Sequence, residues 1–169
     1  MKALIVYSSR TGNTEKICRA AAEVIPGCDV FPVGDAPAPD GYDLVGVGYW
    51  VDKGMPDKDA AAYLERLSGV RVALFGTLGA WPDSDHAREC IVKGEALLEG
   101  RNNTVFGTFL CQGKVDPRIV EMMQKMGDKV HPMTEERKAR LAEAAKHPDE
   151  NDCENARAFL RGVLERIAG

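Results

Sequence analysis

The sequence predicts an α/β fold, a parallel sheet held between two helical layers, on three observations. Short apolar runs of strand length alternate with amphipathic helical segments along most of the chain, the order that right-handed crossovers between parallel strands require. The runs Ala3-Leu4-Ile5-Val6-Tyr7 and Val70 to Phe75 are continuous rather than alternating, as in strands covered on both faces. Three of the strands run into loops rich in glycine, hydroxyl or aromatic residues, and in such sheets ligands bind outside the carboxyl ends of the strands.

The first strand, Ala3 to Tyr7, is followed by Ser8-Ser9-Arg10-Thr11-Gly12-Asn13-Thr14 and then by a helix with apolar positions Ile17, Ala20, Ala21 and Val24 at i, i+3, i+4 and i+7. A strand-to-helix junction of this kind offers unpaired backbone N–H groups and the positive end of a helix dipole, with hydroxyls from Ser9, Thr11 and Thr14 as further donors. It reads as a phosphate cradle. Pro26-Gly27 closes the helix, and Asp29 to Val33 forms a second strand, at an edge because Pro32 lacks a donor.

A loop spans Gly34 to Gly41, and Asp43 to Trp50 makes a third strand ending in an aromatic pair and the polar turn Val51-Asp52-Lys53-Gly54. Ala60 to Leu67 forms the second helix. The fourth strand, Val70 to Phe75, enters the loop Gly76-Thr77-Leu78-Gly79-Ala80-Trp81-Pro82. Asp83 or Ser84 caps a third helix carrying Ala87, Cys90, Ile91, Leu97 and Leu98, stopped by Gly100. Thr104 to Leu110 is the fifth strand. Asp116-Pro117 opens a helix with a cap and an N1 proline, whose apolar positions Ile119, Val120, Met122, Met123 and Met126 end at Gly127. A charged helix follows from about Thr134 to Lys146, and a final helix from near Asn151 carries the stripe Ala156, Phe159, Leu160, Val163, Leu164 and Ile167.

At 169 residues the chain suits one domain, residues 1–169. The apolar fraction of 44% with 28% charged residues is that of a globular protein, and a net charge of −4 disfavours nucleic acid and anionic lipid as partners. Cys18, Cys28, Cys90, Cys111 and Cys153 are odd in number, far apart and without a C-x-x-C pair, which points to a reducing cytoplasm and to no cysteine-held metal. Met1-Lys2 leads directly into the first strand, and no apolar run approaches the roughly 20 residues of a membrane span, so neither a signal peptide nor membrane insertion is expected.

The stretch Tyr7-Ser8-Ser9-Arg10-Thr11-Gly12-Asn13-Thr14-Glu15 resembles the FMN-phosphate loop of the flavodoxin family, and the order of elements to about residue 111, with the last helix, resembles a flavodoxin as well. The resemblance implies a three-layer α/β/α sandwich on a five-stranded parallel sheet of order 2-1-3-4-5. It implies that Ser9, Arg10, Thr11, Gly12, Asn13 and Thr14 wrap the FMN phosphate. It further implies that Tyr49, Trp50, Val51 and Asp52, with Lys53 and Gly54 beyond them, form the first flavin loop, with Trp50 stacked on the ring. Thr77, Leu78, Gly79, Trp81 and Asp83 belong to the second. The residues themselves support a flavin independently, since a flat apolar ring with polar edges needs an aromatic face, backbone groups and a phosphate anchor. ATP and NAD fit worse: G-x-x-x-x-G-K-[ST] does not occur, and Gly46-Val47-Gly48 does not complete G-x-G-x-x-G.

Three features depart from the family pattern. Arg10 stands where an uncharged side chain is usual, and either pairs with the phosphate or points to solvent. The second loop lacks the usual tyrosine, so Trp81 either takes over the stacking or packs beneath the loop. A segment of about residues 112–148 is inserted before the last helix. Within it, Met122, Met123 and Met126 read as core ahead of a soft docking face. His86, His131 and His147 read as surface or capping residues with no metal, Cys90 and Cys111 as small core residues, and Glu135 to Lys138 as a solvated face. Family flavodoxins flip a peptide beside the ring on reduction. Val51 resists positive φ, so either Lys53-Gly54 supplies the flip or the neutral semiquinone is poorly stabilised.

The expected function is an electron carrier with no catalytic side chain, shuttling electrons between a reductase or ferredoxin-type donor and an acceptor enzyme. The alternative is an FMN-dependent oxidoreductase acting directly on a quinone, tetrapyrrole or other organic acceptor.

Overall fold

A computed structural model describes residues 1–127 and 132–169. His131, assigned above to the surface, lies outside the described residues. The elements run β1 (Ala3–Tyr7), α1 (Asn13–Ala22), β2 (Asp29–Pro32), a 3₁₀ turn (Val33–Asp35), β3 (Leu44–Asp52), β4 (Met55–Pro56), α2 (Lys58–Leu64), β5 (Arg71–Leu78), α3 (Asp85–Ala96), β6 (Thr104–Gln112), α4 (Pro117–Lys125), α5 (Glu135–Ala144) and α6 (Glu150–Ala168).

The main sheet has the order β2-β1-β3-β5-β6, all neighbours parallel, which is the expected 2-1-3-4-5 arrangement with β4 set aside. Ile5 lies between Val30 and Gly46 in register, so the strand before the phosphate-type loop is central, and Pro32 sits on the edge strand as its missing donor requires. A one-residue shift between the pairs Val72–Val105 and Leu74–Thr108 makes a bulge on β6, where Gly107 takes a φ of 111°.

Alternate strand positions bury two cores. Ile5, Phe75 and Ala73 point to a layer made by α1 and α6, with Ile17, Cys18, Ala21, Ala156, Leu160 and Val163. Leu4, Val47, Tyr49 and Leu74 point the other way, to Ala60, Leu64 and Leu67 of α2 and its C-terminal turn and to Leu98 after α3. Truncating a fully buried leucine such as Leu74 to alanine costs about 2–5 kcal/mol. Cys90 and Cys111 are buried as expected, and all five thiols are free. Burial holds the Cys18, Cys28, Cys90, Cys111 and Cys153 thiols above their ordinary range, Cys28 up to about 11.

Several expectations need correction. The polar turn Val51 to Gly54 is a β-hairpin: β3 continues to Asp52, pairs antiparallel with Met55-Pro56, and turns through Lys53 and Gly54 at φ 50° and 79°, the two positive values that a tight two-residue hairpin needs. Gly76, Thr77 and Leu78 extend β5 rather than forming a loop. The apolar stripe of α4 is not core. None of its residues is buried, and Met122 and Met126 are 56% and 55% exposed.

Candidate functional site

A cleft of about 500 Å³ opens at the carboxyl ends of β1, β3 and β5. It gathers Arg10, Thr11, Asn13 and Thr14 from the first loop, Trp50, Val51, Asp52 and Lys53 from the hairpin, and Thr77, Leu78 and Gly79 from the end of β5. Three stretches spread over residues 10–79 therefore meet, as ligand placement in parallel sheets leads one to expect.

The floor is the N-terminus of α1. Gly12 is its N-cap, at φ 89°, and no side chain caps the helix. Among the described residues, each of the other five α-helices has a capping side chain: Asp57, Ser84, Asp116, Thr134 and Asp149. The first N–H groups of α1 have no intrahelical acceptor and face the cleft with the positive end of the dipole. Ser9 Oγ accepts from Gly12 N at 3.1 Å, which holds the loop closed. Thr14 and Thr77 share a buried hydroxyl contact at 2.9 Å that joins α1 to β5.

Trp50 stands at one wall. The guanidinium carbon of Arg10 lies 5.7 Å from its ring, and Arg10 Nε donates to Asp116 Oδ2 at 3.0 Å. Arg10 thus keeps an exposed side chain, 42% accessible, while bridging the first loop to the segment after β6. The Asp116 carboxyl falls to about 2, chiefly through the Arg118 side chain, then its backbone N–H, with Arg10 adding to the effect.

Asp57, which the sequence reading passed over, organises this end of the sheet. Its carboxylate accepts from Ser8 Oγ at 2.6 Å and from the backbone N–H groups of Trp50, Asp59 and Ala60, so one buried side chain ties β1, β3 and α2 together. Burial pushes its carboxyl up while those four donors oppose the shift. An aspartate directly before a helix was the available signal.

The fourth wall comes from the segment after β6. Gly113, Lys114, Val115, Asp116, Ile119, Met122 and Met123 line the cleft, and α4 turns its apolar side toward it. The segment is seated by close approach. Asn13 Nδ2 donates to the Lys114 carbonyl at 2.9 Å, and a methyl group at Gly113 would come within 2.7 Å of Asn13 Nδ2. Val115 packs where a side chain on Gly79 would stand.

Six of the expected site residues lie elsewhere than on the cleft wall. Ser9 and Gly12 shape the loop without lining the cleft. Tyr49 is fully buried on the α2 and α3 side, where desolvation raises its phenol strongly. Gly54 serves the hairpin turn. Asp83 is exposed, its carbonyl accepting from Arg88 Nη1. Trp81 is 38% exposed and lines a second cavity with Ser84, His86, Arg137 and Arg140 rather than the cleft.

His147 meets Asp152 Oδ2 at 2.6 Å and Glu143 Oε1 at 3.4 Å, joining the end of α5 to the first turn of α6. His147, Asp149 and Asp152 bring potential ligand atoms within 4.8 Å of one another, but Asp149 and Asp152 already form the reciprocal capping box of α6.

A flavodoxin domain family model matches residues 4–161. The flavodoxin-like domain-containing protein BilS of Clostridioides difficile (strain CD3) is 34% identical over 172 residues, covering 97% of each chain. Among solved structures, oxidised flavodoxin 2 from Bacillus cereus superposes with a TM-score of 0.62 at 21% identity, over 98% of this chain and 99% of that one. A flavoprotein from Lactobacillus acidophilus NCFM, in complex with FMN, superposes with a TM-score of 0.53 at 17% identity, over 72% of this chain and 97% of that one.

Proposed function

The chain belongs to the flavodoxin-domain family, and on that premise we propose that it binds FMN in the cleft and carries electrons between redox partner proteins. The observation that carries the reading is the uncapped N-terminus of α1 at the floor of a cleft whose wall is Trp50. An uncapped helix end with Arg10 and Thr11 beside it suits a phosphate dianion, and an indole at the rim suits a flat ring. FMN would supply one- and two-electron chemistry there.

In this reading Arg10, Thr11, Asn13 and Thr14 hold the phosphate end, with Ser9 and Gly12 shaping the loop. Trp50, Val51, Asp52 and Lys53 border the ring on one side, and Thr77, Leu78 and Gly79 on another. Val115, Ile119, Met122 and Met123 exclude water from the remaining side. In the same reading residues 1–169 form one domain with an insertion at about 112–148. Five free cysteines support a cytoplasmic setting. No described helix is long and apolar enough to cross a membrane.

A second reading is direct reduction of a quinone, tetrapyrrole or other organic acceptor. The apolar wall from the segment after β6 favours it, because it adds a surface that contact with a flat ligand would bury. Titrating FMN into flavin-free protein tests the cofactor: flavin fluorescence should fall to saturation at one equivalent, and a protein that takes up no FMN overturns both readings. Anaerobic reduction then separates them. Flavin reduced only by a reductase or ferredoxin fits the carrier; flavin reduced by NAD(P)H alone and reoxidised by an organic acceptor fits the enzyme.

A further inference from the structure

We propose that the second cavity, about 290 Å³ between the start of α3 and α5, binds a small aromatic carboxylate. It shares no lining residue with the cleft but adjoins it: Gly79 lines one and Ala80 the other, and Arg137 Nη2, on the wall of one, donates to Met123 Sδ on the wall of the other at 2.8 Å.

Charge is the first argument. Arg137 and Arg140 stand one turn apart on α5 and both line the cavity. Among the described residues neither has a carboxylate within ion-pair distance, whereas Arg10, Arg118, Arg157 and Arg161 each meet one. The Nε atoms of both are buried without an acceptor, and the thioether that receives Arg137 Nη2 is a weak one. Half-buried guanidiniums left short of acceptors are costly, and a planar carboxylate supplies two acceptors in the geometry their fork matches. Glu136 also lines the cavity, so two guanidiniums face one carboxylate and the wall stays cationic.

Helix ends add to that charge. Ser84, the N-cap of α3, and Thr134, the N-cap of α5, both lie on the wall, which aims two positive dipole ends at one space. The aromatic preference comes from Trp81, a large apolar side chain 38% exposed at the rim with no role in the cleft. An indole face beside paired guanidiniums suits a ring bearing a carboxylate better than a bare inorganic anion.

Calorimetric titration of the full chain with benzoate, with and without FMN, tests the site, and inorganic phosphate serves as the competing anion. Benzoate should bind saturably at one site. The affinity should fall at least about tenfold in R137Q/R140Q, the loss expected when a charge-assisted pair is removed. It should also fall in W81A, while R137K/R140K, which keeps charge and loses the fork, should bind more weakly than the native chain. Unchanged FMN absorbance and melting in these variants separates failure of this site from failure of the flavin reading. Absence of saturable benzoate binding, equal affinity in the glutamine and lysine variants and the native chain, or phosphate binding as tightly as benzoate would overturn the proposal.

Discussion

Arg10 Nε meets Asp116 Oδ2 at 3.0 Å, an ion pair that spans 106 positions of sequence and ties the loop before α1 to the N-cap of α4. The same carboxylate takes two bonds from the Arg118 side chain through Oδ2, at 3.2 and 2.8 Å, and caps α4 through Oδ1. Arg10 uses its Nε in this way, and its terminal nitrogens have no hydrogen-bond acceptor among the described residues, which leaves them available to the phosphate proposed above.

Arg10→Gln should therefore weaken FMN about tenfold or more, the order expected for one charge-assisted hydrogen bond, and leave riboflavin binding little changed. Fluorescence titration with the two ligands decides the matter. An equal loss for both would mean that Arg10 acts through Trp50 and Asp116 rather than on the phosphate.

Gly48 should not tolerate a side chain. A methyl group there would run into Cys18 Sγ and approach Thr14 Cγ2 at 3.0 Å and Tyr7 Cβ at 3.1 Å. Overpacking of this kind costs about 1–3 kcal/mol, and each kcal/mol lowers the melting temperature by about 2–4 °C in a chain of this size. Gly48→Ala with Cys18→Ala should melt higher than additivity of the two single variants allows, because the second change vacates the space. Strict additivity would show that Cys18 is not the obstacle.

These contacts also mark what could be read from sequence. Continuous apolar strands and alternating helices made a parallel sheet between helical layers legible, its strand order followed only from the resemblance to flavodoxins, and the unusual loop Ser8 to Thr14 located the floor of the cleft. The hairpin at Lys53-Gly54 was not legible, because a lysine at positive φ carries no turn signature as Asn-Gly would. Tyr49 and Trp50 look alike as an aromatic pair, yet successive strand residues face opposite sides, so one is core and the other rim. The stripe Ile119, Met122, Met123 has helical period whether it faces a core or a cleft, and periodicity alone does not say which. Trp81 depended on where α5 would pack, a long-range matter absent from its own loop.

His147 should make stability depend on pH near neutrality. Its bond to Asp152 raises its pKa above the ordinary value, against the opposing pull of burial. A raised imidazole contributes stability that is fully present below about pH 6.5 and is lost as the pH rises through the folded-state value. The melting temperature should fall over that interval, and His147→Gln should flatten the fall while lowering stability at pH 6. Parallel profiles for the native chain and the variant would show that the ion pair carries none of the dependence.

Met122 and Met123 offer the sharpest division between stability and binding. No residue of α4 is buried, so Met122→Ala with Met123→Ala should change stability by about 0.5 kcal/mol per site or less, the range for exposed positions. Both side chains nevertheless line the cleft, where contact with a flat ligand would remove them from water. If they border the flavin ring, the variant should lose affinity for FMN and for lumiflavin, which lacks the phosphate, by the same factor of about three to ten. If they border an organic acceptor instead, flavin affinities should hold while the rate of quinone reduction by the reduced protein falls. A variant unchanged in both respects would remove α4 from the site, leaving its exposed methionines without a role in the chemistry.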